Sequence, residues 1–313
     1  GGYMKKIGID IGGMSIKSGL VDENMNIIHS YNIATEVEKG FGVISQNIIK
    51  MIYDLLSQAN CVIDNVDAIG IGIPGVADEN GKIHYATNLF WTNVDLGGVL
   101  REEFKNIKIS IDNDATIACV AEHKIGSIKD VKNAIMLTLG TGVGGGIIIN
   151  GMRYSGNLGI GSEIGHMIVG ENYYSCSCGN NGCLETFCSA SAVQSYARKL
   201  AAETDEETVL KSVRPGSITA KMVFESAVEG DEVSKKVVER FVYYLSIGIA
   251  NIINIFSPEV IVIGGGLVGA YDSYIDRLYE EVKAKIIFKN LPFAKIVPAT
   301  LGNDAGIIGA AML

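Results

Sequence analysis

One local pattern occurs twice in this chain and narrows its fold more than any other feature. Lys6-Ile7-Gly8-Ile9-Asp10-Ile11-Gly12-Gly13 is an apolar strand that ends in an acid and a glycine turn, and Ser15–Val21 alternates as the returning strand. Ala134–Leu139, the turn Gly140-Thr141-Gly142 and Val143–Ile149 repeat it. Placing Thr138 on Asp10 puts Gly140 on Gly12, with apolar residues before and after both turns. A repeat of this size implies two related half-domains, each opening with a hairpin whose turn faces a shared cleft. Glycine-turn hairpins of unrelated origin also look partly alike, so the pattern alone leaves that reading open.

The rest of the chain alternates strands with helices, which defines an α/β protein. Strands are expected at 27–32, 68–75, 107–111 and 260–266. Residues 41–58 carry Val43, Ile44, Ile48, Met51, Ile52, Leu55 and Leu56 at helical spacing. Further helices are expected at 115–123, at 231–255 with a break near Gly248, and at 273–286. An N-capped helix should start from Gly302-Asn303-Asp304-Ala305. With 38 glycines against 5 prolines the chain is neither collagen-like nor low-complexity. Its formal charge of −9 argues against general binding of nucleic acid through phosphates. The longest apolar stretches are broken by glycines, or by Asn251, Asn254 and Pro258, so no membrane span is expected. No signal-peptide pattern precedes the first strand, and Gly1-Gly2-Tyr3 reads as a remnant ahead of a natural start at Met4. The expectation is a soluble cytoplasmic protein.

Three of the six cysteines cluster as Cys176-Ser177-Cys178-Gly179-Asn180-Asn181-Gly182-Cys183, shortly after His166. Three thiolates and one imidazole are a complete tetrahedral set for structural zinc, and the two glycines let the backbone wrap around an ion. A disulfide fits poorly without an export signal, and the C-x-x-C spacing of redox pairs is absent. Cys61 and Cys119 lie in apolar contexts and read as core; Cys188 is either core or a spare thiol.

Asp112-Asn113-Asp114 ends a buried strand where a helix begins. Any of the three could cap that helix, and three cap-capable residues exceed what one cap requires, so a functional role is expected for at least one. Glu163 and His166 stand three apart, and Glu185 follows the last cysteine of the cluster by two. A metal that pins His166 and Cys183 also fixes these two acids, and four protein ligands leave no open coordination position. The turn Gly140–Gly146 resembles a dinucleotide fingerprint, but Ile147-Ile148-Ile149 continues as strand rather than helix. Bare backbone N–H groups in two such turns can cradle phosphates, and Asp10 can hold Mg²⁺ directly or through water. The residues point to phosphoryl transfer or ATP hydrolysis, without a Walker or protein-kinase motif.

On these motifs the chain resembles the ROK family of sugar kinases and repressors, within the actin/hexokinase/heat-shock ATPase fold superfamily. The motifs are Asp10-Ile11-Gly12-Gly13, Gly72-Ile73-Pro74-Gly75, Asn113-Asp114-Ala115, Leu139 to Gly146, Glu163-Ile164-Gly165-His166 and Cys176-x-Cys178-Gly-x-x-Gly-Cys183-x-Glu185. The resemblance implies two ribonuclease-H-like lobes around a central cleft: a small lobe of 1–117 joined by the C-terminal helix 302–313, and a large lobe of 118–301 with the zinc loop and nucleotide site. It implies an ATP-dependent hexose kinase with glucose the expected sugar, Asp114 the base, and Gly75, Asn88, Asn113, Glu163, His166 and Glu185 its sugar contacts. Asp10, Gly12, Gly13, Lys17, Thr138, Gly140, Thr141 and Gly142 would line the triphosphate and Mg²⁺, and Gly264, Gly265 and Gly266 the adenosine. His166, Cys176, Cys178 and Cys183 would hold structural Zn²⁺. Met14 departs from the family's usual threonine in the first phosphate turn. Alternatives are a kinase for N-acetylmannosamine, a β-glucoside or fructose, or a sugar-sensing regulator, although the repressors' DNA-binding domain ahead of the first strand is not expected here. A homodimer follows from resemblance only.

Overall fold

Strong apolar alternation and the glycine turn produce the expected opening hairpin. In this computed structural model, which describes residues 4–313, β1 (Lys5–Ile11) pairs antiparallel with β2 (Ser15–Val21), and β3 (Ile27–Ala34) pairs with β2. The expectation for Gly1, Gly2 and Tyr3 lies outside the described residues. Helix α1 (Gly40–Gln58) buries Ile44, Ile48, Met51, Ile52 and Leu55 in the same core as Ile7, Ile9 and Ile11. Strand β4 (Val66–Ile73) then pairs parallel with β1. A small antiparallel sheet follows, of β5 (Val76–Ala77), β6 (Ile83–Ala86) and β7 (Trp91–Val94). After α2 (Leu96–Glu103), β8 (Lys108–Asn113) runs parallel to β4 and turns directly into α3 (Asp114–Ile125). The first large sheet has the order β3-β2-β1-β4-β8.

The second large sheet is built from β9 (Ala134–Leu139), β10 (Val143–Ile149), β11 (Met152–Arg153), β12 (Val260–Gly264) and β13 (Lys295–Pro298), in the order β11-β10-β9-β12-β13. In chain order both sheets read third, second, first, fourth, fifth. The duplication expected from two hairpins therefore extends over five strands. Between β11 and β12 lie α4 (Glu185–Cys188), α5 (Ala190–Glu203), α6 (Ala220–Val228) and α7 (Glu232–Phe256); α8 (Tyr271–Lys285) follows β12, and α9 (Ala305–Ala311) is last.

The chain divides into two compact units. Among the described residues the first comprises 4–130 with 146–162 and 300–313; the second comprises 131–145 and 163–299. Residues 118–130 and 146–162 thus fall in the first unit, beyond the boundary at 117 drawn from sequence.

Within the first unit α9 is seated by glycines. Gly8 on β1 stands opposite Gly19 on β2 and Gly70 on β4. A Cβ on Gly8 would come within 1.9 Å of the Ile307 carbonyl oxygen, and one on Gly70 within 1.6 Å of that of Ala310. On the helix itself, Gly309 meets the Ile117 carbonyl of α3 at 1.8 Å in the same sense. Backbone packs on backbone, which any side chain at these positions would prevent. The entry to α9 is held by Glu122, which has no exposed surface. Its Oε1 accepts from the Thr300 and Leu301 amides at 2.8 and 2.9 Å, and its Oε2 from the Ser127 amide and hydroxyl, both at 2.8 Å. Burial pushes this carboxyl up, but the hydrogen bonds from Ser127, Leu301 and Thr300 prevail and hold it below its ordinary value.

Two expectations need correction. Helix α7 is continuous through Gly248, and the glycine there makes room for packing rather than a break: the Leu184 side chain occupies the space where a Cβ would stand, 2.9 Å from its Cδ2. Asp304 does not cap α9: it has helical torsions and makes no capping bond, and the helix grows out of a 3₁₀ turn at Gly302–Asp304. Among the described residues no helix is long and apolar enough to cross a membrane.

Candidate active site and metal cluster

In the first unit the turn after β1 is fixed by its own neighbours. Gly12 N–H donates to Ser15 O at 2.9 Å, Thr35 Oγ1 to Gly12 O at 2.7 Å, and Thr35 N–H to Met14 O at 3.0 Å. Asp10 stands across the ladder from Lys17, and its carboxylate fills the space beside Gly306, where a Cβ would lie 2.5 Å from Oδ2. Burial raises the Asp10 carboxyl above its ordinary value and Lys17 opposes the shift. Gly306, invisible as a site residue in the sequence, is what admits this acid. Met14 is 90% exposed, so its side chain points to solvent. Gly13 lies beside Asn88, 3.5 Å from its carbonyl oxygen to the position of a Cβ.

The second group in this unit gathers at the β8–α3 junction. Of the three candidate caps, Asn113 is the one: its Oδ1 accepts from the Ala115 and Thr116 amides at 2.9 and 3.3 Å. Its Nδ2 donates to Gly75 O at 3.0 Å, tying two of the expected sugar contacts together. Gly75 has no room for a side chain, since a Cβ would stand 2.3 Å from Tyr85 O. Asp114 opens the helix, its Oδ1 accepting from the Ala115 amide at 2.8 Å. Asp112 is engaged elsewhere: buried, it pairs with Arg153 Nη1 at 2.7 Å. Burial raises its carboxyl and Arg153 opposes that shift. The partner lies on β11, a distance in sequence that no local pattern bridges. Trp91 packs into the core, its ring edge-on to Phe41 at 5.2 Å.

The second unit holds the other turn and the metal cluster. Gly140 N–H donates to Gly142 O at 2.9 Å, and Ala190 N–H to Gly140 O at 2.7 Å. The Val143 amide donates to Glu185 Oε2 at 2.9 Å. Thr138 is in register with Gly264. Gly265 has φ +81° and would place a Cβ 2.6 Å from Leu139 O, so only glycine suits it. Gly266 borders a cavity of about 800 Å³ with Gln194, Lys221, Phe224, Leu267 and Ser273, within the usual size of a small-ligand site. Helices α5 and α6 supply part of that wall. Sequence reading missed both, although Ser189 and Thr219 cap them by accepting from the Ala192 and Met222 amides.

His166, Cys176, Cys178 and Cys183 place their donor atoms within 4.8 Å of one another. Cys176 Sγ lies 3.6 Å from His166 Nδ1, and Cys178 Sγ 3.6 Å from Cys183 Sγ. Zinc–ligand bonds of about 2.3 Å to sulfur and 2.0 Å to nitrogen give tetrahedral edges of roughly 3.5–3.8 Å, so the set fits that ion. The loop depends on Gly179 and Gly182, at φ +95° and +90°, and a Cβ on Gly182 would sit 1.7 Å from Gly170 O. With Nδ1 turned to sulfur, His166 Nε2 faces Glu163 Oε2 at 3.9 Å. Partial burial raises the Glu163 carboxyl, with His166 opposing and Glu185 adding to the shift. Asn172 and Asn181 bond reciprocally across the loop, and Asn172 Oδ1 accepts from Arg240 at 2.9 Å. Arg240 in turn stacks over Phe187, Tyr196 and Tyr244. Of the remaining cysteines, Cys119 and Cys188 are buried, whereas Cys61 is only partly so.

The expected contacts are therefore grouped as Gly75, Asn113 and Asp114, with Asn88 beside Gly13, in the first unit, and as Glu163, His166 and Glu185 in the second. This α/β fold, its duplicated sheets and its Cys3His loop define a class. A family model described as the ROK family matches residues 6–313. The chain belongs to the ROK family. It is 36% identical over 310 residues to a glucokinase of Halalkalibacterium halodurans, covering 98% of this chain and 94% of that protein. It is 34% identical to a glucokinase of Thermotoga maritima, covering 99% and 97%. A solved structure of a ROK family glucokinase from Streptomyces griseus, in complex with glucose and AMPPNP, matches with a TM-score of 0.82 at 29% identity, covering 98% of each chain. The fold is the actin-like ATPase fold of these kinases.

Proposed function

We propose that this chain is an ATP-dependent hexose kinase that phosphorylates glucose. The observation that carries the reading is whole-length likeness to proteins named glucokinase, one of them solved with glucose and AMPPNP. In this reading Asp114 takes the proton from the attacking hydroxyl, so that oxygen displaces ADP from the γ-phosphorus. Asn113 and Gly75, already bonded to each other, and Asn88 orient neighbouring hydroxyls. Glu163, His166 Nε2 and Glu185 take the anomeric end. Asp10 and Lys17 with the Gly12–Gly13 turn, and Thr138 with Gly140–Thr141–Gly142, receive the triphosphate. Gly264, Gly265 and Gly266 lie against the adenosine, which the neighbouring cavity is large enough to accept. Asp10, an oxygen donor of the kind hard cations take, would hold Mg²⁺, which neutralises phosphate charge when bound. His166, Cys176, Cys178 and Cys183 would hold zinc as a structural ion, and metal on Nδ1 fixes the His166 tautomer.

Coupled ADP release with Mg-ATP tests the reading across glucose, mannose, fructose, N-acetylmannosamine, N-acetylglucosamine and a β-glucoside. Turnover of glucose by the wild type, lost in Asp114→Asn, is expected. Faster turnover of another sugar replaces the substrate. Thermal stabilisation by a sugar without any turnover makes the chain a sensor instead.

A further inference from the structure

Glu185 is bonded on the wrong side for a residue that serves a sugar alone. Its Oε2 accepts the Val143 amide at 2.9 Å, and the same oxygen lies where a Cβ on Gly142 would stand, at 2.4 Å. Oε1 accepts no hydrogen bond among the described residues. We propose that Glu185 is a positioning residue for the nucleotide turn, and that sugar and nucleotide are coupled through its single carboxylate, one oxygen for each side.

The turn is otherwise held by backbone. Ala190 N–H grips Gly140 O, the Gly140 amide closes on Gly142 O, and the Val143 carbonyl fits where Gly165 has no side chain, 2.0 Å from the position of its Cβ. Glu185 adds the side-chain hydrogen bond to this set, and it is charge-assisted. Both Gly165 and Glu185 belong to the metal-bearing segment, so the shape of the turn is copied from that segment. A carboxylate beside a triphosphate turn also repels the nucleotide. A hydroxyl donated to Oε1 spreads that charge and immobilises the carboxylate, so sugar tightens nucleotide binding, and by linkage nucleotide tightens sugar binding equally. The inference rests on reading Gly140–Gly142 as a triphosphate turn.

The test is calorimetry with Mg-AMPPNP, with and without glucose. Without sugar, Glu185→Ala should weaken nucleotide affinity by about 10- to 100-fold, the range for a lost hydrogen bond to a charged group. Glu185→Gln keeps an acceptor for the Val143 amide and should stay within about threefold, while losing much of the tightening by glucose. Gly142→Ala pushes the carboxylate off the turn and should reproduce the loss, yet add less than about twofold in the Glu185→Ala background. That non-additivity separates a clamp from general damage, and circular dichroism confirms that each variant folds. Unchanged affinity in Glu185→Ala, beside normal wild-type binding, overturns the clamp and leaves the kinase reading intact. Wild-type protein that binds no Mg-AMPPNP overturns both together.

Discussion

The two glycine turns share a local sequence pattern but not their means of rigidity. The first, at Gly12–Met14, is tied by Ser15 of the opening hairpin and by Thr35, the residue that follows β3. The second, at Gly140–Gly142, is tied by Ala190 and Glu185, more than 40 positions downstream, in the segment that carries the cysteines. Duplicated strands have kept their order, while the second copy has handed control of its turn to an insertion. A repeat can thus preserve a scaffold and divide the work: the first unit carries the acid at the β8–α3 junction, the second the Cys3His loop.

The largest effect expected from this division is on chemistry in the first unit. Asp114→Asn should retain glucose affinity while turnover falls about 10²- to 10⁴-fold; turnover near the wild-type value would remove Asp114 from the role of base. In the second unit the division makes an opposite forecast. Cys178→Ser, or stripping zinc with a chelator, should abolish glucose binding and loosen the second turn, seen as faster amide exchange at Val143, without altering exchange at Gly12. Metal analysis that finds no stoichiometric zinc in folded, active protein would end that account.

Smaller effects concern stability of the first unit. Glu122→Gln leaves buried donors around Thr300 and Leu301 poorly matched and should cost about 1–3 kcal/mol in denaturant unfolding. Because the folded state holds the Glu122 carboxyl below its ordinary value, its ionised form stabilises the fold above about pH 4.3. That contribution fades as pH falls through the folded value, so wild type and Glu122→Gln should converge in acid. Least of all, Thr35→Val should cost about 1 kcal/mol and loosen only the first turn. Loosening of both turns by this change would erase the distinction between them.

What was legible in the sequence was what local chemistry dictates. Both hairpins, α1, α3 and the gathering of His166, Cys176, Cys178 and Cys183 follow from apolar period, glycine placement and residue spacing. The choice of Asn113 as cap was not legible, because Asp112 is withdrawn by Arg153 from another strand. Nor was the reason for Gly306, which is the Asp10 carboxylate, or the reason for Gly248 within a continuous α7, which is the Leu184 side chain packed against it. The cavity beside Gly266 was not legible because its wall brings α5 and α6 against residues about 40 to 75 positions further along the chain. In each case the missing information is a contact made across the fold.

The glycine seat of α9 has a consequence for biosynthesis. The helix that fills it emerges from the ribosome about 170 residues after Asp130, a wait of roughly 10–30 s at ordinary elongation rates. During that interval the row Gly19, Gly8 and Gly70 lies open, a flat strip of sheet without side chains to shield it. The sheet that starts with β1 is therefore completed only once α9 has been made, although the strands that seat that helix were made long before it.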